Sequence, residues 1–195
     1  MMDRNKILLR KPNDKDDVKQ ISKLIYSTDL NIYGAMFNDE ITMYKILNET
    51  MKTSKCNLNF ENSIIADYEN YILGIVCFVE DNYLNDMNEY KNNFEKLDLD
   101  ITQHFEGVYE NYWRKLINEN LNGICYISNI AVDEKFQKLG IGSKLLNNLK
   151  DYTKKNVIAL DVVKENTSAI NAYIKNGFKI IESKNEKSFR MVFEK

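Results

Sequence analysis

The chain has 195 residues and a formal net charge of −2, from 27 basic and 29 acidic side chains. This length predicts one domain with a sizeable core, and a hydrophobic fraction of 44% is typical of a globular protein. The charge balance argues against nucleic-acid or anionic-membrane partners, and no apolar run approaches the ~20 residues of a membrane span. Because the first residues are too charged for a signal peptide, we expect a cytoplasmic protein.

The first half of the chain is predicted to contain a strand, a helix, an irregular aromatic segment, a second helix and a β-hairpin. The strand ends before Pro12, and apolar residues then recur at helical spacing. Gly34 indicates a turn inside the aromatic segment, and Asp39 is a capping residue for the second helix. These elements cover residues 7–10, 18–25, 29–38, 39–51, 63–68 and 71–79.

The second half begins with an insert at about 84–121, whose apolar residues predict two amphipathic helices. After it come a central strand, a helix with Leu145, Leu146, Leu149 and Tyr152 inward, a buried strand, a short helix and two closing strands. The sequence therefore predicts a single domain, 1–195, of the α/β class, an α+β arrangement in three layers. These later elements cover residues 123–132, 142–154, 157–163, 167–175, 178–182 and 188–193.

Few side chains are available for metal or nucleophilic chemistry. Cys56, Cys77 and Cys125 form no CxxC pair, and His104 is the single histidine. A structural zinc site, a disulfide framework and a Ser-His-Asp triad are therefore not expected, and we predict no metal. We expect His104 on a surface helix and the strand cysteines in the core, so that chemistry would use carboxylates, tyrosines or main-chain groups.

The strand-to-helix connection at 129–143, NIAVDEKFQKLGIGS, is the most informative segment. Free N–H groups at a helix N-terminus bind anions, and Gly140 and Gly142 would let a phosphate approach the main chain closely. The pattern is neither the dinucleotide fingerprint, since Leu145 stands where glycine is needed, nor a Walker A loop. An isolated GxG would favour a simple tight turn.

A second motif changes that interpretation. Asn166, Ala169 and Tyr173 precede Asn176-Gly177-Phe178 in the pattern N-x-x-A-x-x-x-Y-x-x-x-G-F. With the earlier Q-x-x-G-x-G loop, this arrangement resembles the GNAT superfamily of N-acetyltransferases, over about residues 126–182. The loop is also similar to that of ribosomal-protein N-terminal alanine acetyltransferases. The resemblance implies a mixed twisted sheet with two splayed parallel strands, 124–132 and 157–163, and helices on both faces.

The resemblance also implies acetyl-CoA as acyl donor. Its pantetheine arm would pair with the main chain of Ile130, Ala131 and Val132, and one N–H group there would polarise the thioester carbonyl. The pyrophosphate would be wrapped by the loop, and further contacts would line the opposite side of the donor. The implied loop residues are Gln137, Lys138, Leu139, Gly140, Ile141, Gly142 and Ser143, and the opposite ones are Asn166, Ala169 and Tyr173.

Two side chains are implied as catalytic. Tyr173 matches the family position near the cofactor sulfur, where a phenol can protonate the thiolate, although a core tyrosine is the alternative. Asp161, the only charge in VIALDVV, stands where related enzymes place a glutamate base. It is one methylene shorter, so a structural or charge-setting role stays open. Glu80 and Asp81 are weaker candidates, as is His104.

The predicted reaction is acetyl transfer to a primary amine, of a small molecule or a peptide, by direct attack in a ternary complex. A non-catalytic acyl-CoA-binding module and a transferase of longer acyl groups are the alternatives. Tyr26, Tyr33 and Phe37 could shape the acceptor pocket or simply pack. The segment 84–120 has eight acids against four bases, which gives either a solvated face or a rim that attracts amines. No nucleic-acid or membrane partner is expected, and the chain would be a monomer or homodimer.

Overall fold

The computed structural model describes residues 2–53, 58–80, 87–101, 105–108, 123–183 and 186–195. Its described strands form one seven-stranded mixed sheet in the order β1-β2-β3-β4-β5-β7-β6. All neighbouring pairs are antiparallel except β4 and β5, which run parallel at the centre. The strands are β1 Leu8–Arg10, β2 Ser63–Tyr68, β3 Tyr71–Val79, β4 Ile124–Val132, β5 Val157–Val163, β6 Lys179–Ser183 and β7 Ser188–Glu194.

Helices cover both faces of this sheet, so the predicted three-layer α/β architecture is confirmed. Residues of α1–α3 and of the insert pack on one face in a core with Ile75, Tyr126 and Ala159. Residues of α6 and α7 pack on the other face with Ile158 and Leu160. The helices are α1 Val18–Tyr26, α2 Leu30–Phe37, α3 Glu40–Thr50, α4 Met87–Lys96, α5 Phe105–Val108, α6 Ile141–Tyr152 and α7 Thr167–Lys175, with short 3₁₀ turns at Arg4–Lys6 and Glu134–Phe136.

The segment 29–38, predicted to be irregular, contains the helix α2, Leu30–Phe37, with Asp29 and Asn38 as its caps. The Asp29 carboxylate accepts hydrogen bonds from the N–H groups of Asn31 and Ile32, at 3.1 and 3.0 Å, and so caps the helix. Burial on one face stabilises the helix further, because Tyr33, Met36 and Phe37 are buried and Phe37 is only 1% exposed. Neither backbone conformation nor space requires a glycine at Gly34, since its φ is not positive and a Cβ there would meet the Tyr26 hydroxyl at 3.5 Å, an ordinary contact.

The β-hairpin predicted from the sequence is confirmed. Strands β2 and β3 pair in antiparallel register, and the turn between them is formed by Glu69 and Asn70. Both turn residues have positive φ, 52° and 67°, which matches the right-handed twist of the strands that they join. The hairpin places β3 directly beside β4 at the centre of the sheet.

The first helix of the insert, α4, is built into the core. Its Tyr90 and Phe94 are 2% and 0% exposed, and Phe105 of α5 is also fully buried. The rings of Phe94 and Phe105 lie 6.2 and 5.9 Å from the ring of Phe37 in α2. The amphipathic character predicted for this helix is thus confirmed, whereas most of the second predicted helix, with His104, lies outside the described residues.

One residue of α6 departs from its predicted orientation. Leu145, Leu146 and Leu149 are buried as expected, but Tyr152 is 47% exposed. Tyr152 is the last residue of α6, where its ring packs beside Phe78 and beneath the ammonium of Lys11, 5.2 Å from the ring centroid. Within the described ranges, no helix is long and apolar enough to cross a membrane.

The aromatic cluster makes Phe37 a sensitive position. We expect Phe37→Ala to lower the free energy of unfolding by about 3–5 kcal/mol, because the truncated side chain leaves a cavity between α2 and the insert. Chemical denaturation followed by circular dichroism measures this change. The control is Ile41→Ala on α3, where the side chain is 64% exposed and the expected change is within about 0.5 kcal/mol. Equal stability of the two variants would contradict a structural role for the cluster.

Candidate functional site

The central strands β4 and β5 separate along their length. They are paired only at Ile124–Val157, Cys125–Ile158 and Tyr126–Ala159, although both strands are described in full and continue beyond this point. Past Tyr126, β4 remains paired with β3, and past Ala159, β5 remains paired with β7. The sheet is therefore continuous at one end and open between its central strands at the other.

The main chain of β4 presents alternate residues to this gap. The Ala131 carbonyl points toward β3, because a Cβ added to Gly74 would lie 2.7 Å from its oxygen. Two residues later, the N–H of Asp133 donates a hydrogen bond to the carbonyl of Leu73, which also lies on β3. Since alternate residues of a strand direct their main-chain groups to opposite sides, Ile130 and Val132 face the gap and Ala131 does not.

The loop at the open end exposes main-chain N–H groups. Lys138 and Gly140 have φ of 62° and 83°, and α6 begins at Ile141 without a side-chain cap. In the described structure, the N–H groups of Ile141, Gly142 and Ser143 form no hydrogen bond. A Cβ on Gly140 would meet nothing within 4 Å. This turn is a helix N-terminus open to an anion.

The side chains of the loop hold it against the neighbouring elements. Gln137 donates from Nε2 to the carbonyl of Val132 at 3.1 Å, which ties the loop to the end of β4. The Ser143 hydroxyl accepts from Nδ2 of Asn176 at 3.1 Å, which ties α6 to the end of α7. Leu139 packs against the core beneath the sheet, and the exposed Lys138 leaves a positive charge beside the free N–H groups.

Helix α7 forms the second wall of the open end. The Asn166 side chain accepts from the N–H of Ala169 at 3.1 Å and caps the helix. Tyr173, one turn after Ala169, is half-buried, and its ring lies 5.8 Å from that of Phe178. Burial raises the pKa of Tyr173 to about 12. Its hydroxyl makes no hydrogen bond to the described part of the chain, so it is a protonated donor available to a ligand.

Asp161 lies in an ion pair that sequence reasoning did not identify. Oδ1 accepts from Nε of Arg190 at 2.6 Å, and Oδ2 accepts from Nη2 of Arg190 at 2.8 Å and from the Tyr126 hydroxyl at 3.2 Å. Arg190 is only 8% exposed. The sequence carries a signal for this pair, because Asp161 and Arg190 are the single charges inside VIALDVV and SFRMVF. Two buried strands, each with one charge of opposite sign, favour pairing.

The sequence model of the acetyltransferase (GNAT) family matches residues 33–178, which include the gap, the loop and α7. The chain belongs to the GNAT acetyltransferase family. Acetyl-CoA-dependent acetyl transfer is the general activity of this family. A comparison with curated proteins finds no significant match.

Solved structures share the GNAT fold. An acetyltransferase crystal structure is 23% identical with a TM-score of 0.74, covering 96% of this chain and 98% of its own. An N-acetyltransferase from Staphylococcus aureus Mu50 is 17% identical with a TM-score of 0.71, covering 95% and 100%. A GNAT family acetyltransferase from Elizabethkingia anophelis with acetyl-CoA bound is 15% identical with a TM-score of 0.58, covering 98% and 100%.

Among the weaker candidates for this GNAT site, Glu80 is the one that the structure describes, and it lies away from the open end of the gap. Glu80 accepts a hydrogen bond from the Thr153 hydroxyl, beyond the end of β3 where β4 and β5 are still paired. Cys77 and Cys125 are fully buried, and burial raises the pKa of each thiol to about 12, so both are protonated. Asp81 and His104 lie outside the described residues.

Two of the aromatic residues considered for the acceptor pocket, Tyr33 and Phe37, are buried and make different contacts. Phe37 is buried in the aromatic cluster with the insert. Tyr33 is also buried, and its hydroxyl accepts from Nδ2 of Asn129 at 2.8 Å. The same amide nitrogen donates to the Thr28 hydroxyl at 2.8 Å. Asn129, on β4 beyond the last β4–β5 pair, therefore links the α1–α2 corner to the strand that borders the gap.

Gly140 provides a test of the loop. We expect Gly140→Ala to weaken coenzyme A binding about tenfold or more, because the added Cβ projects into the space before the free N–H groups. Isothermal titration calorimetry measures this affinity. The positive φ should also cost about 1–2 kcal/mol of stability.

The matched control is Gly123→Ala at the start of β4. Gly123 has φ of 80°, close to the 83° of Gly140, and a Cβ there also meets nothing within 4 Å. The two variants should lose similar stability, and only Gly140→Ala should lose affinity. An equal effect on coenzyme A binding in both variants would show that the loop does not hold the ligand.

Proposed function

We propose that the chain is an N-acetyltransferase that transfers the acetyl group of acetyl-CoA to a primary amine by direct attack in a ternary complex. The observation that carries this proposal is the juxtaposition of the gap between β4 and β5 with the open N-terminus of α6. Strand β4 runs along the gap and leads directly into the loop. An extended ligand with a phosphate group at one end fits both features together.

The chemistry of acetyl-CoA matches these groups. Its pyrophosphate would be held by free N–H groups of the loop 137–143, those of Ile141, Gly142 and Ser143 among them, with Lys138 adding positive charge. Its amide-containing arm would hydrogen-bond the main chain of Ile130 and Val132, as an added strand does. Asn166 and Ala169 would line the other side. The related structure with acetyl-CoA bound supports this assignment at the level of the fold.

Main-chain groups and Tyr173 would supply the catalytic interactions. An N–H group of Ile130 or Val132 would stabilise the negative charge that develops on the thioester oxygen when the amine attacks. Tyr173 would donate its proton to the sulfur as the carbon–sulfur bond breaks. The attacking amine must be neutral and must lose one proton when the amide forms, directly or through water.

The pKa of Tyr173 keeps its hydroxyl protonated and therefore able to donate. A thiolate becomes more basic where water is excluded, which would favour its taking the proton of the phenol.

A screen for thiol release from acetyl-CoA across polyamines, aminoglycosides, amino acids and peptide N-termini tests the proposed function. We expect coenzyme A to be released only with an amine acceptor, together with an acetylated product detected by mass spectrometry. Tight acetyl-CoA binding without acetylation of any amine would instead support a non-catalytic binding module. Faster transfer from longer acyl-CoA donors would change the donor but retain the reaction class.

Tyr173→Phe tests the acid. We expect kcat to fall about 10²- to 10⁴-fold, because the hydroxyl is lost while the ring remains. Acetyl-CoA affinity should change little. Since the raised pKa keeps the hydroxyl protonated until the pH approaches 12, no loss of wild-type activity at ordinary assay pH should arise from Tyr173.

The control is Tyr44→Phe on α3, which also removes the hydroxyl of a half-buried tyrosine but lies in the layer on the other face of the sheet from α7. Its kcat should equal that of the wild type. Full activity of Tyr173→Phe would remove Tyr173 from the mechanism.

A further inference from the structure

A group of three side chains lies where β4 and β5 part. Tyr126 belongs to the last β4–β5 pair, with Ala159 opposite. Asp161 follows Ala159 by two residues on β5, so both project from the same face of that strand. Arg190 lies directly opposite Asp161 on β7. The group therefore spans the three strands that meet at the closed end of the gap.

The contacts within this group hold the three strands together. Arg190 binds the Asp161 carboxylate through two nitrogens, at 2.6 and 2.8 Å, which is the bidentate geometry that fixes orientation as well as distance. The Tyr126 hydroxyl donates to the same carboxylate at 3.2 Å, and the guanidinium lies 5.5 Å from the Tyr126 ring centroid. Each of the three side chains thus contacts both of the others.

Beyond this point each central strand keeps only one partner. Strand β4 is paired with β3 as far as Val132, and β5 is paired with β7 as far as Val163. Two neighbouring strand edges with unpaired main-chain groups tend to pair with each other, and pairing here would close the gap. A bulge between the Cys77 and Phe78 pairings, at Ser128, disrupts the regular ladder of β4. Strand β5 has no irregularity in its pairing with β7.

We propose that Tyr126, Asp161 and Arg190 form a clamp that fixes β5 to β7 and sets the width of the gap into which the acyl donor inserts. Asp161 is then a positioning residue and not the base that takes a proton from the amine. Both of its oxygens already accept hydrogen bonds from Arg190, and the carboxylate is held by a cross-strand partner. This proposal rests on the proposed function, because it assigns the gap to acetyl-CoA.

Four proteins test the clamp: the wild type, Asp161→Asn, Arg190→Gln and the double variant that combines them. Each single variant leaves a largely buried charge without its paired charge, and we expect the Kd for acetyl-CoA to rise about tenfold or more. The double variant replaces the ion pair by two amides of similar shape that can hydrogen-bond each other. We expect it to regain most of the lost affinity, with kcat at saturation retained.

A catalytic base would give a different pattern. Asp161→Asn and the double variant would then both lose kcat by about 10²- to 10⁴-fold with acetyl-CoA affinity intact, and the proposal would be overturned. Unchanged affinity and kcat in all variants would overturn it as well. If the wild type did not bind acetyl-CoA, the proposed function would fail and the clamp with it, an outcome distinct from both others.

A second ion pair in the same sheet provides the matched control. Arg10 of β1 contacts Asp67 of β2 at 2.5 Å, at the edge of the sheet remote from the gap. We expect Arg10→Gln and Asp67→Asn to lower the melting temperature without changing the Kd for acetyl-CoA. If a charge variant fails to fold, Tyr126→Phe tests the clamp instead, because it removes one hydroxyl and keeps the ring. Its Kd should rise by about threefold, and an unchanged Kd would count against the clamp.

Discussion

The separation of β4 from β5 after the Tyr126–Ala159 pair is the constraint on which the site depends. A sheet normally satisfies its main-chain groups by pairing strands along their whole length. Here the two central strands give up that pairing, and the main-chain groups of Ile130 and Val132 face the gap. The flanking strands maintain the sheet beyond that pair, since β3 remains paired with β4 as far as Val132 and β7 with β5 as far as Val163.

The use of main-chain groups would also explain how an acidic chain could bind the proposed anionic donor. The net charge of −2 argues against a broad basic surface that would attract an anionic ligand. In the proposed site the loop before α6 would use main-chain N–H groups instead, and these retain their partial positive charge whatever the overall charge of the protein. We expect a few local cations, such as Lys138, to be sufficient beside them.

Sequence patterns predicted the parts of the fold that are governed by local rules. The glycine loop, the hairpin turn and the buried strands were recognised from residue type and periodicity, and the structure confirms them as elements. The sequence does not predict helix α2, because Gly34 is typical of a turn. In the structure the Asp29 cap and the burial of Phe37 outweigh the low helix propensity of glycine.

The contacts across strands were harder to predict. The pairing of Asp161 with Arg190 joins residues 29 positions apart, and it depends on the order of β5 and β7 in the sheet. From the sequence, a catalytic role and a structural or charge-setting role for Asp161 both stay open, and residue type alone does not identify Arg190 as its partner. The direction of the Ala131 carbonyl likewise depends on strand register, which residue type alone does not determine.

The burial of the insert has a consequence for how this chain can diverge from its relatives. Phe94 and Phe105 pack against Phe37, so the described part of the insert, 87–101 and 105–108, shares its core with α2. Grafting the insert onto another member of the family would therefore require a compatible aromatic surface on the recipient's α2. Natural variation should show the same linkage, with the size of the residue at position 37 changing together with those at positions 94 and 105.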